Sequence, residues 1–415
     1  MRRSSPTRPP SPTTTTRSLL GTSALAAVLV AAMACGAPET KAPAAAPNTV
    51  PDKPSAPVEL NILDVAGDLQ LTQAMIEDFQ KSNPDIVSKV NFTKATAPEM
   101  PGKLKAEQQG GKSQTHLVLT GTDGLASAIE QQLILQLQPN YDSKFPNLEQ
   151  NYLPPAAAMH KLAQGQGITI TYYPSGPLIE YDPGKVPNPP KSTQELLDWA
   201  KANPGKFQYA QPANSGPGRT FLMGLPYILG DKDPKDPVNG WEKTWSYLQE
   251  LGKYVDYYPK GTTDTMKNLA NGSSTIIAST TGWDINPRVL GTVPAGMRTG
   301  TLQGFHWVTD AHYAVIPKGV PDDVLAADLA LIKWILQPQQ QAKAYDKGFF
   351  YPGPAVKDVT LDMAPQESKD ALAKFGRPEY EKLIADNPKE TSLPAQQQVA
   401  AFQKWDREVG SGKIK

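Results

Sequence analysis

The chain has 415 residues, with 41 Lys plus Arg against 41 Asp plus Glu, four His and one Cys. Zero net charge argues against nucleic acid as a partner, since such binders carry a basic patch or stripe. One cysteine excludes an intrachain disulfide framework and a Cys-ligated metal site, and a chain of this length buries enough surface to fold without staples.

In chain order, Arg2, Arg3, Arg8 and Arg17 form a basic, acid-free start, residues 19–34 are apolar or small, and Ala32 and Ala34 precede Cys35. That is the layout of a secretory signal peptide. The apolar run is short for a membrane span, which needs about 20 residues. Ala32-Met33-Ala34-Cys35 resembles a bacterial lipobox. The resemblance implies a lipoprotein signal peptide over 1–34, with lipidation of Cys35 as the first mature residue. Residues 35–57 follow as a Pro/Ala-rich tether whose stretch "GAPETKAPAAAPNTVPDKPSAP" holds six prolines and almost no large apolar side chain. Such a segment favours extended polyproline II and buries no core.

The folded body opens with "VELNILDVAGD", a buried strand and a glycine turn. Leu71, Met75 and Phe79 then share one helical stripe, with Asp68 as N-cap and Pro84 as stop. Residues 85–93 read as a second strand, 99–109 as a helix, 116–120 as a third strand and 125–133 as a helix. This β-α-β-α-β order predicts a parallel, doubly wound sheet. "GITITYYPSGPLIEYD" is β-rich and broken by Pro174. Ser192 and Glu195 form a capping box at the next helix. Helices over 218–229 and 241–254 follow, then "TTDTMKNLANGSSTIIAST", a helix, an Asn-Gly stop and an apolar strand. "HYAVIPKGV" is a strand, 322–336 a helix with Leu325, Leu329, Ile332 and Leu336 on one face, and the chain beyond 351 is helical and polar. Trp241, Trp245 and Trp334 lie on helical stripes and read as core.

Four stretches in this order are similar to family 1 extracellular solute-binding proteins of bacterial ABC importers: "LNILDVAGDLQLTQAMIEDFQKSNP", "TQELLDWAKANPGKFQYAQPANSGPGRTFLMGLPYILG", "MKNLANGSSTIIASTTGWDINP" and "DAHYAVIPKGVPDDVLAADLALIKWILQPQQQAKAYDKGFFYPGPAV". The second and third lean toward the branch with polyamine-binding relatives. The resemblance implies an α/β type II periplasmic-binding fold of two lobes around a cleft. It places lobe one at 58–172 with a return at 311–350, lobe two at 175–307, hinges at 172–174 and 307–313, and a C-terminal helical segment at 351–415. It implies an exported, membrane-anchored monomer that captures a small polar solute, by lobe closure, and passes it to permease subunits.

In doubly wound sheets ligands bind beyond the carboxyl ends of strands. That rule selects Asp64 in "DVAGD", Thr122 and Asp123 in "TGTDG", Ser215 in "ANSGPGRT", Thr281, Trp283 and Asp284 in "TTGWDINPR", and Asp310 and Tyr313 in "HWVTDAHY". An aromatic face beside a carboxylate, as at Trp283-Asp284, suits a cation or a sugar. Asp123, Asp284 and Asp310 outnumber the cleft arginines Arg219 and Arg288, which favours a polyamine, sugar or similar solute. Asp64 and Asp68 also read as helix caps, and Asp123 as a turn residue. The four histidines show no metal spacing, no nucleotide loop is present, and no cofactor is expected. An exported hydrolase acting on carbohydrate, with Asp284 and Asp310 as its acid pair, is the alternative in another class; a ligand-sensing receptor is a third.

Overall fold

A computed structural model describes residues 50–65 and 67–414. The signal peptide, the lipidation at Cys35 and most of the tether lie outside the described residues. The last part of the tether, residues 50–57, does not behave as the composition predicts. Val50 and Pro54 are buried. Ser55 bonds Asp323 through its amide (2.9 Å) and its hydroxyl (2.6 Å), and Lys144 and Asp85 pair with Asp52 and Lys53. Polar side chains fasten this stretch along the first lobe.

The strands are β1 Val58–Asp64, β2 Val87–Lys94, β3 Leu117–Gly121, β4 Ile168–Gly176, β5 Leu178–Tyr181, β6 Phe207–Gln208, β7 Ile276–Ser279, β8 Arg298–Gly300, β9 Trp307–Val315, β10 Gly353–Pro354 and β11 Lys389–Glu390. They form two sheets. The first has the order β10-β4-β9-β3-β1-β2 with β11 beside β9; the second has the order β6-β7-β5-β8. β1 lies parallel to both β2 and β3, so the opening β-α-β-α-β unit is wound as the sequence predicts. The whole sheet is mixed, because β9 returns from the second lobe and pairs antiparallel with β3 and β4. Helix Leu69–Ser82 buries Leu69, Met75, Ile76 and Phe79 against this sheet, and helix Asp322–Ile335 packs into the same core; Leu71 packs instead with Tyr173, Phe349 and Phe350.

Each sheet has its own core. Leu60, Ile62, Phe79, Ile170 and Ile332 belong to the first; Phe207, Phe221, Trp241, Trp245 and Ile276 belong to the second. β4 passes into β5 across Pro177 alone, and residues 301–306 join β8 to β9. The break read at Pro174 therefore falls three residues later. Pro174 sits where the β4–β9 register slips between Tyr173 and Gly176, a bulge that asks nothing of the missing N–H.

The C-terminal helices complete this body. Trp405, at the end of helix Ala395–Trp405, is fully buried in the second core, with its Nε1 donating to Tyr209 Oη at 3.0 Å and its ring edge-on to Tyr258 at 4.9 Å. The same helix packs on helix Thr122–Glu130 of the first lobe. Among the described residues, no helix is long and apolar enough to cross a membrane. Trp405→Ala should remove about 3–5 kcal/mol of stability, as large core truncations do. The measurement is the urea midpoint: a clear drop is expected, and no change would mean that the C-terminal helix is not part of the cooperative unit.

Candidate functional site

β1 and β3 are neighbours whose connections leave in opposite directions, a switch point of the kind at which open sheets bind ligands. Helix Thr122–Glu130 starts directly after β3. From the second lobe, helices Gly216–Leu229, Thr262–Asn271 and Thr281–Val289 bring their first turns to the same gap. Between them lies a cavity of about 110 Å³, lined by Gly121, Asp123, Tyr173, Asn214, Ser215, Gly216, Arg219, Thr262, Trp283, His312 and Phe350 among others. First-turn N–H groups have no partner within their helix, and the helix dipole adds partial positive charge there. Several such ends aimed at one cavity favour an anionic group.

Arg219 brings a guanidinium to the wall of this cavity. Its side chain is only 4% exposed. Nη2 pairs with Asp310 Oδ2. Nη1 stands 2.8 Å from Asp123 Oδ2 but out of line for a hydrogen bond, so Nη1 and Nε both lack an acceptor. Burial works against the guanidinium charge, but Asp310 and Asp123 outweigh it and hold Arg219 protonated. Asp310 is saturated: Oδ2 also accepts from Tyr173 Oη (2.9 Å), and Oδ1 accepts from Thr122 Oγ1 (3.0 Å) and from the Ala311 N–H (3.0 Å). The β4–β9 register, which sets Tyr173 opposite Asp310, fixes this arrangement.

A second buried pair lies beside it. His312 Nδ1 is 2.7 Å from Asp68 Oδ1, and the Asp68 N–H donates to Asp64 Oδ1 at 2.9 Å. Asp68 occupies the N-cap position of the first helix, but its carboxylate makes no cap bond. The imidazole claims it instead. Burial pushes the His312 pKa down, but the charge and hydrogen bond of Asp68 outweigh burial and raise it above the usual value. Burial, then the Asp68 charge, raises the Asp64 carboxyl. Ser215 caps its helix by accepting the Gly218 N–H at 3.2 Å, and its hydroxyl lies 2.7 Å from Thr262 Oγ1, tying two helix ends together.

The walls are aromatic. Tyr173 stacks on Phe350 at 4.7 Å, His312 meets Phe350 edge-on at 4.3 Å, and half-buried Trp283 meets Phe349 edge-on at 5.6 Å. Gly282 permits this approach, since a Cβ there would fall 2.6 Å from Phe350 Cα.

The sequence-selected residues divide. Asp123, Ser215 and Trp283 line the cavity, and Thr122 and Asp310 bond to each other behind it. Asp64 lines an adjoining cavity, and Thr281 donates to the Tyr351 carbonyl at 2.9 Å. Asp284 is not in the cleft. It is fully buried and held by Arg288 (Nε 3.0 Å), Arg377 (Nη2 2.7 Å) and Tyr380 Oη (2.7 Å). "TTGWDINPR" is helical rather than a loop, and adjacent helical residues do not share a face, so Trp283 looks into the cleft while Asp284 looks away. Tyr313 is likewise removed: its hydroxyl donates to the Met159 carbonyl at 2.9 Å inside the first core. Strand alternation sends Asp310 and His312 to one face and Tyr313 to the other.

Tyr173, His312 and Phe350 were not selected from sequence as ligand contacts. The period-two spacing of Asp310 and His312 was the signal for His312; the double aromatic in "GFFYPG" was the signal for Phe350. Among the described residues, no group of three or more His, Cys, Asp or Glu is placed to hold a metal ion.

Comparison with known proteins gives three results. Residues 74–374 match the sequence profile of a family described as bacterial extracellular solute-binding protein. A sequence search of curated proteins gives no match. The fold is similar to that of a putative spermidine/putrescine ABC transporter protein from Listeria monocytogenes, with TM-score 0.58 and 15% identity over 85% of this chain and 99% of that one. It is also similar to an ABC transporter protein from Clostridium perfringens, with TM-score 0.60 and 15% identity over 85% of this chain and 99% of that one. A third is the periplasmic binding protein AfuA from Actinobacillus pleuropneumoniae, solved with fructose-6-phosphate, with TM-score 0.59 and 15% identity over 85% and 99%.

Two outcomes follow from these buried charges. His312 has a raised folded pKa, so its contribution to stability is complete below about pH 6.5, the unfolded value, and fades as pH rises through the folded one. The stability gap between wild type and His312→Gln, from urea unfolding, should therefore be larger at pH 5.5 than at pH 9; a gap that grows with pH would refute the pairing. Arg377→Met strands part of the Asp284 charge and should cost about 3 kcal/mol in the same assay, with no cleft residue altered.

Proposed function

This chain belongs to the bacterial extracellular solute-binding proteins, and we propose that it captures a small acidic solute between its lobes and delivers it to the permease of an ABC importer. The observation that carries the acidic class is Arg219: a buried guanidinium at the cavity wall with two N–H-bearing nitrogens lacking acceptors. A buried donor without an acceptor is costly, and an acidic solute that reaches Nε or Nη1 would supply one. The surrounding helix ends add to the same preference.

A polyamine or neutral sugar has less to hold. Of the three acids that favour those ligands in the sequence, two, Asp284 and Asp310, are enclosed by arginines and hydroxyls. Asp123 alone of the three reaches the cavity surface, and it already faces Arg219. The same enclosure removes Asp284 and Asp310 as the acid pair of a glycoside hydrolase.

The solute would be gripped from both sides. Gly121, Asp123, Tyr173 and His312 come from the first lobe and its strands; Ser215, Arg219, Thr262 and Trp283 come from the second. Ligand favours the closed form because both sets touch it only there. The basic start, apolar run and Cys35 support export and anchoring by lipid, with more than one acyl chain needed for firm retention. We take the working unit to be a monomer.

Thermal unfolding against a panel tests the ligand class: carboxylates, phosphate esters, polyamines and sugars. A true ligand at about 1,000 times its Kd stabilises by roughly 4 kcal/mol. The expected result is a shift with an acidic solute that is lost in Arg219→Lys, a variant that keeps the charge but not the planar fork. A polyamine or sugar shift that survives Arg219→Lys would overturn the acidic reading.

A further inference from the structure

Trp283 lines two cavities. Behind the Arg219 chamber lies a second of about 540 Å³, against about 110 Å³ for the first. Its walls come from both lobes: Asp64, Leu69 and Gln73 on one side, Met266, Pro287 and Leu290 on the other. Resting on the reading of Arg219 as the head-group site, we propose that the solute carries an apolar or aromatic body and that this second chamber receives it.

Size is the first argument. Sites for small organic ligands typically occupy about 300–1,000 Å³. The Arg219 chamber holds a carboxylate or phosphate and little more, whereas the second chamber is of ligand size. Trp283 lines both, and a solute spanning the two would pass along its indole. Lining is the second argument. Leu69, Met266, Trp283, Pro287, Leu290 and Phe349 present carbon to the chamber. Its polar residues come from both lobes: Asp64, Gln70, Gln73 and Lys94 from the first, Thr263, Asn286 and Thr292 from the second; Gln70 is already bonded to Asp346 at 2.8 Å. The third argument is Leu290. It is 60% exposed at the end of helix Thr281–Val289, among very few large apolar side chains on the surface of the described residues. An apolar body in the chamber would cover it.

Lobe geometry makes the chamber sensitive to closure. Met266, Pro287 and Leu290 belong to one lobe and Leu69 and Gln73 to the other, so a tail lying between them would favour the form in which both lobes touch it. The tail would then set affinity and selectivity, and the head group would set register.

The test uses the full mature chain and calorimetric titration with two probe series: straight-chain carboxylates from acetate to octanoate, and phenylacetate to 4-phenylbutyrate, with alkyl phosphates in parallel. Affinity should rise by up to about fourfold per added methylene once the chain passes Trp283. Leu290→Asp, at an exposed position, should weaken the long members at least fivefold and leave acetate and methyl phosphate unchanged. A flat series, or long-chain binding indifferent to Leu290→Asp, with short acids still dependent on Arg219, overturns the tail chamber and leaves the head-group site standing. Failure of every acid to bind overturns the head-group reading and the tail chamber with it.

Discussion

A guanidinium buried between carboxylates is the constraint around which this cleft is built. Arg219 stands in a helix of the second lobe; Asp123 begins a helix of the first, and Asp310 lies on the strand that links them. Burying any one of these charges alone would be prohibitive, so the three must be brought together for the lobes to meet. That demand propagates outward. It requires the β4–β9 register that sets Tyr173 against Asp310, the hydroxyl of Thr122 at the first turn of its helix, and a glycine-rich entry at 216–218 that lets the Arg219 helix come close. Because Asp123 meets Nη1 off-axis and nothing meets Nε, the guanidinium is flanked by carboxylates without every donor being used. An incomplete internal pair is what a binding site for an anion needs: stable when empty, better satisfied when full.

The second lobe solves a similar problem in a closed way. Asp284 is enclosed by two arginines and Tyr380, contributed partly by the C-terminal helices. All its acceptors are met, and it faces the helix Pro378–Asp386 rather than the cleft. Comparing Asp284 with Arg219 separates structural from functional burial. Both are deeply buried ions with opposite charges nearby, and only one has donors left over beside a cavity.

Eight solved structures similar to it in fold share 15–18% of its residues. At that distance the two-lobed frame persists while the chemistry of the cleft is free to change, so a relative's ligand need not be this chain's.

Much of the frame was legible in the chain itself. Apolar runs such as "LVLT" and stripes such as Leu71, Met75 and Phe79 specify strands and helices because burial follows their period. Ser192 and Glu195 placed a helix start because a cap is a local bond, and the structure forms it at 3.1 Å. The cleft residues were legible only where position along a strand or helix was enough, as for Asp123, Ser215 and Trp283. Facing was not legible. Asp284 and Tyr313 each sit one residue from a cleft side chain and point elsewhere, because a helix turned a segment that reads as loop and a strand alternated its faces. Nor was partnership: that Arg219 would find Asp310, ninety-one positions away, and His312 would take Asp68 from its cap, follows from how two sheets dock. Composition and periodicity act between near neighbours, and so the sequence by itself determined most of the elements and their order; charge pairing acts across whatever distance folding closes, and so only the tertiary structure decided which acids were consumed and which donors stayed open.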